Sequence, residues 1–251
     1  MQHIPRLFVE NDLFLQAELQ LNREQSQYLT KVMRQRIGAH VRIFNGRDGE
    51  WQGQITDIGR HHVVLVTTAQ LKEQTICPDI ELVFAPIKRA RLECIVEKST
   101  ELGVRHLALV RTEYTQQKST RFERLQTIIR EAAEQTERLD LPSLAAETPL
   151  AHWLQTRDSN RTLIFCDESG ADTGTGTTPI HAAICALPAA SSLTILIGPE
   201  GGFSPTEQAH IKTIAGTIPV SLGPRILRAD TAAIAALSII QARIGDWYRR
   251  Q

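Results

Sequence analysis

What is scarce in this sequence narrows its class before any motif is read. No apolar run approaches the roughly 20 residues that cross a bilayer. The four cysteines, Cys77, Cys94, Cys166 and Cys185, lie far apart in apolar surroundings without a C-x-x-C pair. Free thiols are therefore expected, not disulfides or a zinc site. The eight histidines show neither H-x-x-x-H nor H-E-x-x-H spacing, so no metal is expected. The start, MQHIPRLFVEN, lacks the basic and apolar regions of a signal peptide, which leads us to expect a cytoplasmic protein. There is also no surplus of charge, since Lys+Arg and Asp+Glu each number 28 in 251 residues. That balance argues against indiscriminate nucleic-acid binding. Locally it is uneven: Lys31, Arg34, Arg36, Arg42 and Arg47 follow one another before the next acid, Asp48.

What is present divides into two patterns. The first seventy residues hold short β-branched or alternating segments, AHVRIFNG (39–46), EWQGQITDIG (50–59) and HHVVLVTT (61–68). Asn45-Gly46 and Asp48-Gly49 separate the first two as strong turn signals. This spacing predicts a small antiparallel barrel or sheet, preceded by one helix over 23–34 and followed by a linker over 71–79. From residue 80 strands and helices alternate. Strands are expected at 80–86, 105–110, 162–168, 193–200 and 218–223. Helices are expected at 88–103, 119–138, 180–187, from Ser204 to Gly216, and 231–244. Thr120-x-x-Glu123 and Ser204-Pro205-Thr206-Glu207 read as capping boxes, the second with Pro at the first helical position. Apolar strands alternating with helices predict an α/β domain with a mainly parallel sheet covered on both faces.

In such sheets ligands sit beyond the carboxyl ends of the strands. Three loops there are unusual: CDESG (166–170), GPEGGFS (198–204) and LGPRILRAD (222–230). Glycines in the second would let backbone groups approach a ligand closely; the alternative is a tight turn. No Lys-Ser/Thr follows the glycines, and Glu200 stands where a phosphate cradle would want no negative charge. A ligand of little negative charge, or of positive charge, fits better. Arg225 and Arg228 each need an anionic or carbonyl partner if buried near a site, the alternative being a surface ion pair with Glu200 or Asp230.

GPEGGFSPTE followed by LGPRILRADTAA resembles the signature of the ribosomal RNA small subunit methyltransferase E family, within the SPOUT superfamily of S-adenosylmethionine-dependent RNA methyltransferases. KRARLECIVEKSTELGV (88–104), RFERLQTIIREAAEQTER (121–138) and NGRDGEWQGQI (45–55) extend the likeness over essentially the whole chain. One departure is TQQK (115–118), where the family leads us to expect an Arg-Ser pair. The resemblance implies a PUA-like RNA-binding β-barrel over 1–72 and a SPOUT methyltransferase domain with a deep trefoil knot over 73–251, a topology that general chain-threading rules disfavour. It also implies a homodimer that methylates N3 of one uridine in 16S ribosomal RNA. On this basis Leu196, Gly198, Pro199, Glu200, Gly201, Leu222, Gly223, Ile226 and Leu227 are candidates to hold S-adenosylmethionine. Arg228 is the candidate to stabilise charge developing on the base. Glu200 is either the proton acceptor or a residue that orients the loop. Arg6, Lys31, Arg34, Lys88, Arg89, Arg91 and Arg225 are candidate RNA contacts. The neutral net charge favours recognition by shape, on an assembled 30S particle. Two rivals stand beside this reading: an RNA-binding protein that has lost its cofactor, and a phosphate-ligand α/β enzyme.

Overall fold

The computed structural model describes residues 4–117, 120–167, 177–189 and 191–247. The chain divides into two compact units, Met1–Ile76 with Ala133–Leu141, and Cys77–Ala132 with Pro142–Gln251.

In the first unit β1 (Arg6–Phe8), β2 (Glu18–Gln20), β3 (His40–Phe44), β4 (Glu50–Ile58) and β5 (Val63–Lys72) form one sheet in the order β1-β3-β4-β5-β2. Only β1 and β3 run parallel; the other pairs are antiparallel. Alternation places Leu19, Val41, Ile43, Ile55, Val63 and Leu65 in one core. The turn between β3 and β4 follows its sequence signals. Gly46 and Gly49 take φ of 82° and 79°, and the Asn45 side chain accepts from the amides of Arg47 and Asp48. A Cβ at Gly49 would lie 2.2 Å from the Lys72 carbonyl, so the close approach of β5 needs glycine there. β5 also runs into the segment expected as linker.

The helix expected over 23–34 is shorter and changes type. α1 spans Arg23–Gln27, capped by Asn22 and Gln25, and passes into a π turn over Tyr28–Val32. The Thr30 hydroxyl donates to the Ser26 carbonyl, and such back-bonding loosens a helical ladder. Arg34, at φ 53°, follows the turn in the left-handed region.

Arg6, expected on the surface as an RNA contact, is instead 7% exposed. Its Nε meets Glu50 Oε1 at 2.5 Å, and its two terminal nitrogens donate to the carbonyls of Ala133 and Arg138 at 2.7 Å each. The guanidinium lies 3.8 Å above the Phe44 ring. Every face of this cation is spent internally, so it is not available to a phosphate. Glu50 is wholly buried and also takes Arg42 at 2.6 Å. Arg42 and Lys72 in turn share Glu137.

The second unit is a seven-stranded, all-parallel sheet. Its strands are β6 (Ile80–Phe84), β7 (His106–Arg111), β8 (Ser143–Pro149), β9 (Thr162–Cys166), β10 (Thr178–Pro179), β11 (Leu193–Ile197) and β12 (Thr217–Ser221). They lie in the order β10-β12-β9-β11-β6-β7-β8. The central β11 is buried throughout, with Leu193–Ile197 registered on Ile80–Phe84. Crossovers carry α2 (Arg89–Glu101), α3 (Phe122–Gln135), α4 (Leu150–Thr156), α5 (Ile180–Cys185), α6 (Pro205–Thr213) and α7 (Ala229–Arg243). The alternation read from the sequence is present. β8 and α4 are additions that the sequence pattern did not signal: β8 is an edge strand of mostly exposed residues, without a buried run. Thr120 does not cap α3. The helix starts at Phe122, and the Thr120 hydroxyl donates to Glu147. Among the described residues no helix is long and apolar enough to cross a membrane.

Two outcomes follow for the first unit. Glu50→Ala should lower its stability by about 3–5 kcal/mol, because a buried cation loses its counter-charge; urea unfolding with equal m-values measures this. Arg42 and Lys72 depress the Glu137 carboxyl to about 2. The stability this lends is complete above the ordinary carboxylate pKa and is lost as pH falls from there towards about 2. Glu137→Gln should therefore flatten the acid limb of thermal stability against pH.

Candidate active site

β12, β9 and β11 are neighbours in the parallel sheet, so their carboxyl ends open on one edge. There they meet the start of α2 and of α7 around a cavity of about 250 Å³, near the lower end of the range for small-molecule sites. β9 contributes Cys166 and Asp167, β11 leads into Gly198, Pro199, Glu200, Gly202 and Phe203, and β12 leads into the segment Leu222–Arg228. These are the three loops singled out in the sequence, although Glu168–Gly170 of the first lie outside the described residues.

Each loop has a local cause. Gly202 closes a turn by donating to the Pro199 carbonyl at 3.0 Å, with φ 69°. α6 then begins as its sequence predicts. Ser204 and Glu207 form a reciprocal capping box, with Pro205 at the first helical position. Glu207 also accepts from the Glu113 amide beyond β7, which ties the helix start to a second strand end. Gly198 is bare for a packing reason: a Cβ there would lie 2.8 Å from the Phe203 ring. That ring is buried edge-on against Phe165, with centroids 5.4 Å apart. Gly223, at φ 115°, has nothing within 4 Å of an added Cβ, so conformation and not space demands glycine.

Of the residues expected to hold a cofactor, Gly198, Pro199, Glu200, Leu222, Gly223, Ile226 and Leu227 line the cavity; Leu196 and Gly201 do not. Leu196 lies inside β11, wholly buried in the core cluster that contains Phe165 and Phe203. Gly201 turns towards Tyr114, whose Cβ would be 3.2 Å from a Cβ at that position. Arg225 and Arg228 line the cavity and are exposed at its rim. Among the described residues neither makes an ion pair with Glu200 or Asp230, and the Arg228 side chain does not cap α7. Arg91, expected at RNA, also lines this cavity. Lys88 and Arg89 are exposed at the start of α2, and Lys31 and Arg34 are exposed in the first unit.

The inner wall differs from the rim. Ile197, Phe203, Val220, Leu222, Ala229 and Ala232 are apolar. Burial pushes the Cys166 thiol up to about 12, so it stays protonated and is no nucleophile near neutral pH. Asp167 is the buried acid of the wall, with a side chain 1% exposed, and Lys212 of α6 reaches its Oδ2 at 2.6 Å; Glu200, the other acid lining the cavity, is exposed. No motif marked Asp167. The signal was its place directly after an apolar strand, in a loop already suspected.

Known proteins resemble this chain over most of its length. A family model described as an RNA methyltransferase domain matches residues 73–241. A second, an RNA methyltransferase PUA domain, matches residues 21–68. The ribosomal RNA small subunit methyltransferase E of Rickettsia conorii is 30% identical over 94% of both chains. That of a Synechocystis strain is 32% identical over 94% of this chain and 77% of its own. Among solved structures, a Legionella pneumophila protein determined with the cofactor SAM has a TM-score of 0.83 at 29% identity, covering 97% of this chain and 99% of its own.

Gly198→Ala should destabilise the second unit by about 1–3 kcal/mol, since the added methyl must displace the Phe203 ring. In a double-mutant cycle Phe203→Leu should recover most of that loss. Additive effects in thermal unfolding would mean that the ring is not what excludes a side chain.

Proposed function

Because the chain belongs to the ribosomal RNA small subunit methyltransferase E family, we propose that it moves a methyl group from S-adenosylmethionine to N3 of one uridine in 16S ribosomal RNA. The observation that carries this reading is the division of the cavity into an apolar, backbone-lined wall and a cationic rim. S-adenosylmethionine has a flat adenine, a sulfonium and no phosphate, which suits such a wall and the buried Asp167 within it. It does not call for the lysine that a phosphate loop would carry. Leu222, Ile226 and Leu227 would cover the adenine, and the backbone of Gly198–Glu200 and Gly223 would read its polar edge. When bound, this cofactor supplies an electrophilic methyl carbon.

The chain's own residues do the rest. A uridine N3–H becomes nucleophilic only as its proton leaves, and the negative charge then spreads to the flanking carbonyl oxygens. Arg228, exposed at the rim and unspent on helix capping, is suited to hold that charge. Glu200 lines the same cavity and is the candidate proton acceptor. Arg91 and Arg225 sit where an anionic backbone would approach. The target base must leave its stack or be unpaired to enter. The same reading takes residues 1–72 as the RNA-holding PUA-like domain and residues 73–251 as the knotted SPOUT methyltransferase domain. It takes the enzyme to be a cytoplasmic homodimer acting on the assembled 30S particle.

Mass mapping of 16S ribosomal RNA from cells with and without the gene tests substrate and product together. Loss of one methyluridine is expected, and an unchanged modification map would refute the reading. Calorimetry with S-adenosylmethionine separates it from a cofactor-free RNA-binding protein. Arg228→Ala should lower kcat by about 10²–10³ and leave cofactor affinity within a few-fold. Glu200→Gln should remove the acid limb of the pH profile of kcat if Glu200 takes the proton.

A further inference from the structure

A second cavity, of about 240 Å³, lies in the same unit between the first turns of α2 and α3. Its floor is Leu92 and Leu125, and its walls carry Arg89, Arg121, Arg124, Glu93, Gln117 and Thr120. Three guanidiniums therefore face one carboxylate. Glu93 takes Arg89 Nε at 2.8 Å and stands 4.0 Å from Arg124 Nε. Among the described residues Arg124 pairs besides with Glu131 alone, at 3.9 Å. Arg121 makes no ion pair among the described residues.

The surplus is placed against local helix electrostatics. The start of a helix favours acids, yet α2 begins Lys88-Arg89-Ala90-Arg91 with no acid in its first turn and no side-chain cap. Such a local conflict is expected where a function compensates for it. Here the compensation would be an anion from outside. Thr120 does not supply it, because its hydroxyl donates to Glu147. Arginine forks in a concave, water-accessible cleft match phosphate oxygens bidentately.

We infer that this cleft binds a backbone phosphodiester of the substrate RNA, a few nucleotides from the one that is methylated; the inference rests on the RNA methyltransferase reading above. Arg89 lines this cleft and Arg91, two residues on, lines the candidate active site. Residues two apart on a helix point to nearly opposite sides, so α2 stands between the two cavities. A helix is ~10 Å across, the length of about three stacked nucleotides. One strand can thus present a base to the first cavity and rest its backbone in the second. Phosphate contacts of this kind set register and affinity without reading sequence.

The experiment measures binding of fluorescein-labelled 16S ribosomal RNA, as a bare transcript and assembled in 30S particles, across a salt series, alongside methylation and calorimetry with S-adenosylmethionine. For Arg121→Gln/Arg124→Gln, RNA affinity should fall at least tenfold at moderate salt. The slope of log Kd against log salt should fall by about 0.7, the value for one lost phosphate contact on a single strand, with cofactor affinity unchanged. Glu93→Gln should act in the opposite direction and tighten RNA binding, which a merely damaged fold would not do. Unchanged affinity and slope in the double variant, or weaker binding by Glu93→Gln, would overturn the inference. So would a wild-type protein that binds neither the transcript nor 30S particles. Calorimetric binding of inorganic phosphate, lost in the double variant while RNA affinity is kept, would assign the cleft to a free anion instead. If the variants lose RNA affinity but the wild type methylates no uridine, the cleft stands and the uridine reading falls.

Discussion

A parallel strand cannot return by a tight turn, so each one must be followed by a crossover, and all of them end on the same edge. That constraint organises the second unit. β9, β11 and β12 are joined in sequence only through crossovers, and their pairing brings Asp167, Gly198–Phe203 and Leu222–Arg228 to one place. The long crossovers are also what deliver the starts of α2 and α7 to that edge. No single loop makes a cavity; three adjacent strand ends and two helix starts do.

Charge is arranged on the same plan. Within the wall the buried carboxylate, Asp167, has its balance provided from outside the cavity by Lys212, and the thiol beside it is held neutral. Arg225 and Arg228, which make no ion pair among the described residues, stand at the exposed rim. A neutral sequence therefore still offers a directional surface. The sum of charges says little about a partner when the acids are used internally and the arginines are left outside.

Much of this was legible in the sequence because it is local. The capping box at Ser204, the glycine turns after β3 and the alternation of strand and helix follow from neighbours within a few residues. What was not legible is long-range. The sequence showed that Gly198 is bare but not that Phe203 folds over it, and Gly201 faces Tyr114 for the same kind of tertiary reason. Arg6 was read as surface because arginine usually is. Its burial depends on Glu50 and on carbonyls more than a hundred residues away. β8 escaped notice because an exposed edge strand containing alanine and proline has no period to read. α4 is too short to set a period, although Leu150, Trp153 and Leu154 make a buried face.

The acceptors of Arg6 give the chain an order of events. The Ala133 carbonyl lies 127 residues later than the guanidinium it satisfies. The last strand of the amino-terminal sheet ends at Lys72, so at a synthesis rate of about 5–20 residues per second the nascent sheet waits roughly 3–12 seconds for that partner. During that interval the cation beneath Phe44 has only Glu50 and water. The first unit to begin leaving the ribosome thus cannot finish until part of the second has been made, and its completion is a report that the strands and helices up to Leu141 have been made. A chain cut before that point holds all five strands of the sheet but lacks the two carbonyls that accept from Arg6, which leaves a guanidinium with unsatisfied donors where the whole protein has none.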